Sequence, residues 1–111
     1  MAYKTQKTPE IEIEANLSRI HHGNVYKSLL QVVITNHTNS PREIISINVR
    51  RCDGSTIKLA RPIDDPDLLP LIIEPDETKT IESLYHKSVE IAGTDIVVED
   101  DLHKVYCALI T

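Results

Sequence analysis

The sequence contains no Phe and no Trp, and its 111 residues include one Met and four Tyr. A hydrophobic core must therefore be built mainly from Ile, Val and Leu. Ile and Val have restricted χ1 rotamers and pack well on a pleated surface, so this composition favours strands. The length is typical of a single domain. We expect residues 1–9 to form a flexible N-terminal arm and residues 10–111 to form one domain.

Glycine is almost as scarce, with only Gly23, Gly54 and Gly93. Phosphate-binding loops need closely spaced glycines, so this spacing excludes a nucleotide-binding loop. The adjacent His21 and His22 would point to opposite faces of a strand, whereas a zinc site needs three or four convergent ligands. No serine lies in the sequence context of a nucleophile elbow. We expect no metal, no cofactor, no small-molecule site and no enzymatic activity.

The chain has two cysteines, Cys52 and Cys107. Their spacing resembles that of the inter-sheet disulfide in secreted immunoglobulin domains, but no Trp is present to pack on such a bridge. No apolar run resembles an export signal, and none is long enough to span a membrane. We therefore expect a cytoplasmic protein with two reduced thiols. Cys107 is predicted to be buried, and Cys52, beside Arg50 and Arg51, to be the more reactive thiol.

Alternating hydrophobicity is the clearest structural signal, and it is strict over residues 10–17. A period of two indicates a strand with one wet face, which is typical of an antiparallel sheet. Similar patterns predict a central strand over residues 28–35 and another strand over 43–51, whereas residues 19–24 are predicted to be a polar connection. The predicted inward-facing side chains are Ile11, Ile13, Ala15, Leu17, Leu30, Val32, Ile34, Ile45, Ile47 and Val49.

The register of one hairpin is predicted from its turn, Asp53-Gly54. A two-residue loop would pair Arg50 with Ile57 and would turn the second strand's apolar residues to the opposite face. A three-residue loop over residues 52–54 pairs Val49 with Ile57 and places all the apolar residues on one face. We predict the three-residue loop, because a slip of one residue would move a hydrophobic set into water.

The second half of the chain predicts a loop over residues 61–70, a short apolar run at 71–73 and a turn at 74–77. Residues 78–84 favour a strand, although a helix near 79–92 is the alternative, with a stripe at helical spacing. Strands are predicted over 95–98 and 103–110, separated by a charged turn at 99–101. About seven short strands predict an all-β, antiparallel two-sheet sandwich. The chain resembles immunoglobulin-like sandwiches in this general pattern; the helix alternative would make it α+β.

Charge is unevenly distributed along the chain, which carries a formal net charge of −5. Residues 1–61 have nine basic and five acidic side chains, whereas residues 62–101 have two basic and twelve acidic ones. A basic cluster on the predicted hairpin and two acidic segments are candidate interaction surfaces, although charged residues also form the ordinary wet face of a sheet. The candidates are Arg42, Arg50, Arg51, Lys58, Arg61, Asp64, Asp65, Asp67, Glu99, Asp100 and Asp101.

These observations predict a non-enzymatic protein-interaction or assembly module that binds through end loops or edge strands. The partner would be another protein or a second copy, since oppositely charged halves permit head-to-tail association. One alternative is a small viral or mobile-element inhibitor or accessory protein with an acidic surface. Another is a metal-binding protein or enzyme. Nucleic acid is not an expected partner, because the chain is acidic and its basic residues lack interleaved aromatics.

Overall fold

A computed structural model describes residues 9–23, 25–51, 53–59, 69–86 and 94–111. These residues form eight strands, and no helix occurs among them. The strands are β1 (Ile11–His22), β2 (Val25–Asn36), β3 (Arg42–Arg50), β4 (Thr56–Lys58), β5 (Leu71–Ile73), β6 (Thr78–His86), β7 (Asp95–Asp100) and β8 (Val105–Leu109).

The strands form two antiparallel sheets. The smaller sheet has the order β1-β2-β6, and the larger has the order β4-β3-β7-β8, with β5 also pairing with β3. The prediction of an all-β chain with two antiparallel sheets is confirmed. The alternative prediction of a helix near 79–92 is wrong for residues 79–86, which belong to β6. Residues 87–92 lie outside the described residues. The β-branched residues of this segment pack well on a pleated surface, which explains the outcome.

The core lies between the two sheets and contains the predicted alternating residues of β1 and β2. The central position predicted for residues 28–35 is confirmed, because β2 lies between β1 and β6. Ile13 and Leu17 pack against the core from partly buried positions. The buried hydrophobic residues are Ile11, Ala15, Leu30, Val32, Ile34, Ile44, Ile47, Val49, Ile73, Ile81, Tyr85, Ile96, Val98 and Ile110.

One predicted core residue, Ile45, lies on the surface instead. The pairing of β3 with β7 shifts between Ile44 and Ser46, which marks a β-bulge. Ile44 is fully buried, whereas Ile45 is 37% exposed. A bulge inserts one residue and so reverses the alternation on one side of it. The prediction failed here because a strict period of two was extended through an irregular strand.

The predicted hairpin register is confirmed. Val49 pairs with Ile57, and Leu59 N donates to Ile47 O at 3.3 Å. Gly54 has a φ of 88°, a left-handed conformation that glycine adopts without steric cost. The Gly54 amide donates to Arg51 O at 2.9 Å and closes the loop.

The first hairpin is longer than predicted. Residues 19–22, expected to be a polar connection, continue β1, and His22 pairs with Val25 across a turn that contains Gly23. Gly23 has a φ of 67°, a left-handed conformation that glycine adopts readily in such a turn. Residues 19–22 form a strand because their backbone groups hydrogen-bond to β2. This pairing does not require alternating side chains.

The two sheets are joined at one side by the residues that follow β8. Ala15 and Ile110 form a parallel bridge. Leu17 N donates to Thr111 O at 2.7 Å, and Thr111 N donates to Ala15 O at 3.0 Å. Ile110 N donates to Thr94 O at 2.7 Å on its other side. The segment after β8 therefore bonds on one side to Thr94, which precedes β7, and on the other side to the edge strand of the smaller sheet.

Candidate functional site

The strands place the described turns at two opposite ends of the sandwich. The loop end comprises the start of β1 and the turns at residues 36–41, 74–77 and 100–104. The hairpin end comprises the β1–β2 hairpin beyond residue 17, the β3–β4 turn and residues 94–95. These assignments follow from the strand registers and from the turn contacts Asp76 N to Asn36 O and Asp101 N to Glu43 O, both 2.8 Å.

A buried ion pair underlies the loop end. Arg42 Nη1 donates to Asp100 Oδ2 at 2.9 Å, and Arg42 Nη2 donates to Glu10 Oε1 at 2.8 Å. The side chains of Arg42 and Asp100 are 7% and 0% exposed. Both were predicted to lie on interaction surfaces. Instead, β3 begins with Arg42 pointing inward and β7 continues through Asp100, so the two side chains meet between the sheets.

Asp100 also organises the β7–β8 turn. Its Oδ1 accepts hydrogen bonds from the amides of Leu102, at 2.9 Å, and Lys104, at 3.0 Å. Tyr106 Oη donates to Oδ2 at 3.1 Å. Partial burial, together with the hydrogen bond to Asp100 and its charge, raises the pKa of Tyr106 to about 12. No buried side-chain N or O atom in the described part of the chain lacks a hydrogen-bond partner, so the buried carboxylate of Asp100 is satisfied by the turn that it organises.

Glu10 connects this network to the surface. Its carboxylate accepts from Arg42 and from the Lys104 ammonium. The hydrogen bond from Lys104, with the nearby positive charges, lowers the pKa of Glu10 although burial opposes the shift. The beginning of β1, the beginning of β3 and the β7–β8 turn are thereby tied together.

Asn36 fixes the neighbouring loop at residues 36–41. This side chain is buried, and its Nδ2 donates to Ser40 O at 2.9 Å and to Ile73 O at 2.8 Å. Its Oδ1 accepts from the Thr38 amide and hydroxyl at 2.9 and 2.7 Å. The bond to Ile73 O anchors the loop to the last residue of β5, and the other three bonds lie within the loop. The loop end is therefore a set of turns whose backbones are held by buried polar side chains.

The surface of the loop end is acidic. Apart from the buried Arg42–Asp100 pair, its described side chains include eight carboxylates and only two ammonium groups, from Lys79 and Lys104. His37 and His103 bond Glu12 and Glu99, at 2.8 and 2.9 Å. The eight acidic residues are Glu10, Glu12, Glu43, Glu74, Asp76, Glu77, Glu99 and Asp101.

Exposed apolar side chains lie among these carboxylates. Leu102 in the β7–β8 turn and Ile72, which pairs with Glu43, are both 57% exposed. Val105, at the start of β8, is 58% exposed, and Ile45 projects from the bulge. Exposed apolar side chains beside charged ones occur in protein interfaces. Sequence reasoning missed this set, although an apolar Leu102 next to a predicted charged turn was a usable signal.

The hairpin end is basic. Its described charged side chains include five basic groups, Arg19, Lys27, Arg50, Arg51 and Lys58, against Asp53 and Asp95. Arg50 Nη2 donates to Asp95 Oδ2 at 2.7 Å, and this bond raises the pKa of Arg50.

Cys107 lies on the outer face of β8 as a free, exposed thiol. The prediction that it would be buried is wrong, because the inward positions of β8 are Tyr106 and Ala108, which pair with the buried residues of β7. Arg50 Nη2 lies 3.9 Å from Cys107 Sγ. The side chain therefore does not point between the sheets, where an inter-sheet disulfide would lie. Cys52 is outside the described residues.

The predicted site residues are only partly brought together. Arg50, Arg51 and Lys58 lie at the hairpin end, as the basic cluster required, but Arg42 is at the opposite end of β3 and buried. Glu99 and Asp101 belong to the surface of the loop end, and Asp100 lies beneath it. The remaining candidates, Arg61, Asp64, Asp65 and Asp67, lie outside the described residues.

Within the described residues, no group of three or more His, Cys, Asp or Glu side chains has a geometry that could hold a metal ion. The described part of the chain also contains no helix with the length and hydropathy needed to cross a membrane.

Comparison with known proteins gives no family. No family in a scan of protein families matches the chain, and no curated protein does. Among solved structures, the chain is similar to the X-ray structure of Northeast Structural Genomics Consortium target SoR45. The two chains are 14% identical with a TM-score of 0.49, over 92% of this chain and 83% of the other.

Proposed function

We propose that this chain is a non-enzymatic protein-interaction module and that the loop end is its contact surface. The observation that carries the proposal is the combination of exposed Ile72, Leu102 and Val105 with an excess of carboxylates at one end. Exposed apolar side chains rimmed by polar residues mark interaction sites more often than ordinary surface. The bonded turns beneath them support the proposal, because a pre-ordered surface loses less conformational entropy on binding.

We further infer that the sandwich is of the immunoglobulin type. The orders β1-β2-β6 and β4-β3-β7-β8 correspond to strands A-B-E and C′-C-F-G of that architecture. One departure is β5, which follows β4 where the D strand would lie but pairs with β3 rather than β6. In this correspondence the loop end contains the B–C and F–G loops, which are two of the three binding loops of immunoglobulin variable domains. Fold analogy adds weight to the choice of surface without identifying a partner.

Site-specific photocrosslinking in the cells that produce the protein tests this proposal. A photoreactive amino acid replaces Leu102, which is exposed at the loop end. The matched control places it at Glu14, an exposed position in the middle of β1 that points away from the core. We expect discrete cross-linked protein species from position 102 and none from position 14.

Mass spectrometry of those species then identifies the partner. The double variant Glu43→Lys, Glu74→Lys, which reverses the charge of two side chains at the loop end, should remove the cross-links if the carboxylates contribute. Equal labelling from positions 102 and 14, or no labelling from either, would contradict the loop end as a contact surface.

A further inference from the structure

We propose that the partner of the loop end is a second copy of this chain, which binds through its hairpin end. This inference rests on the proposed function and names the partner of the same surface. The argument is charge complementarity among the described side chains: the loop end has eight carboxylates and two ammonium groups, and the hairpin end has five basic groups and two carboxylates. Complementary potentials orient partners and select against incorrect pairings.

The fold, rather than the order of the sequence, creates this separation. Glu10, Glu12 and Glu43 come from the basic first half of the chain, yet they join the acidic turns of the second half at the loop end. Twelve-residue strands of about 3.3 Å per residue span about 40 Å, and the longest dimension of the molecule is 55 Å. The two charged ends are thus several Debye lengths apart at physiological salt, so each acts as a separate surface.

The projecting β1–β2 hairpin gives the hairpin end a surface that a second copy can contact. The β1–β2 hairpin continues beyond Leu17, where its pairing with Thr111 ends. Arg19 and His21 follow Leu17 at alternate positions, on the face of β1 that points toward the larger sheet, and both are exposed. Leu109, 58% exposed beside Asp95, adds an apolar side chain at this end.

A contact between two different ends is heterologous. Such contacts produce chains or closed rings of copies, whereas a twofold dimer requires the same patch on both partners. We therefore expect assemblies that grow with protein concentration instead of stopping at two. The Debye length shortens from about 10 Å at 0.1 M salt to about 3 Å at 1 M. The assemblies should therefore dissociate as salt is added.

Three double variants test the inference by sedimentation velocity at low salt. The first, Glu43→Lys with Glu74→Lys, reduces the excess of carboxylates over ammonium groups among the described side chains of the loop end from six to two. The second, Arg19→Glu with Arg51→Glu, makes both ends negative; Lys27→Glu with Arg51→Glu replaces it if circular dichroism shows unfolding. The control, Glu14→Lys with Glu82→Lys, changes net charge as the first variant does but in the middle of the smaller sheet.

We expect the wild type and the control to associate, and each end variant alone to associate at least about tenfold more weakly, because the attraction between the ends is reduced in the first variant and becomes repulsion in the second. Mixing the two end variants should restore association between them, since the unaltered hairpin end of the first variant then meets the unaltered loop end of the second. A wild type that stays monomeric at low salt, or a mixture no larger than its components, would overturn the inference.

The two proposals fail differently. Cross-links from position 102 to another protein, together with a monomeric wild type, would refute self-association and leave the interaction module standing. Cross-links from position 102 to the chain itself, lost in the first double variant, would support both. Absence of any cross-link would refute the proposed function itself.

Discussion

Arg42 and Asp100 are 58 positions apart in the sequence, and their guanidinium and carboxylate groups lie 2.9 Å apart between the two sheets. Asp100 simultaneously accepts hydrogen bonds from the backbone of the turn that follows it. One buried carboxylate thus joins β3 to β7 and shapes the surface that we propose to be the contact site. A stability defect at this pair and a change at the surface should therefore occur together.

Breaking the pair from one side should be costly. Arg42→Met leaves Asp100 buried without its cation, and we expect a loss of about 3 kcal/mol in the free energy of unfolding. Adding Asp100→Asn, which retains the Oδ1 acceptor, should cost less than the sum of the single changes, because the partners are coupled. Urea denaturation of the two single variants and the double variant measures this coupling. Strictly additive changes would show that the pair contributes no interaction energy.

The Tyr106 hydroxyl predicts a loss of stability at high pH. Its pKa is raised to about 12 in the folded protein from 10.0. Because the folded pKa is the higher one, the stabilisation is fully present below about pH 10 and is lost as the pH rises toward 12. Ultraviolet titration of tyrosinate should show a late ionisation that is absent from Tyr106→Phe. A titration of unchanged shape in that variant would contradict the assignment.

Because of the bulge in β3, substitutions at the adjacent Ile44 and Ile45 should have very different effects on stability. Ile44→Ala removes a fully buried side chain and should cost about 2–5 kcal/mol. Ile45→Ala should change stability by no more than about 0.5 kcal/mol, as expected for a surface position. Thermal unfolding of both variants gives the comparison. A larger loss for Ile45→Ala would mean that β3 follows the uninterrupted alternation of its sequence.

A side chain at Gly54, in the β3–β4 turn, should lower stability through backbone strain and not through a steric clash. A Cβ at Gly54 would meet nothing within 4 Å, but φ is +88° there. Gly54→Ala should therefore cost about 1–2 kcal/mol through backbone strain alone. Gly54→Asn should cost less, because Asn tolerates this region better. Equal stability of glycine and alanine at this position, measured by urea denaturation, would show that the loop relaxes.

Much of the fold could be predicted because local patterns determine it. The alternation in β1 and β2, the strand assignment of residues 78–84 and the pairing of Val49 with Ile57 all depend on residues close in sequence. The bulge at Ile45 was missed because it arises from pairing with β7, fifty positions away, and no local residue signals it.

The candidate site was harder to predict for the same reason. Arg42 resembles its basic neighbours in sequence, and only the approach of Asp100 and Glu10 in space explains why it can be buried. The charge asymmetry was visible along the chain, but it was assigned to halves of the sequence. The structure redistributes it to ends, because each sheet contains strands from both halves.

The parallel bridge between Ala15 and Ile110 also bears on how the chain is made. Residues 110 and 111 complete the side of the sandwich where β1 and β8 meet. During synthesis, β1 emerges from the ribosome long before those residues do. The β1–β2 hairpin can form early, but the contact between β1 and residues 110–111 can form only after translation has passed residue 111. Until then the edge of β1 is unpaired at these positions and exposed to aggregation.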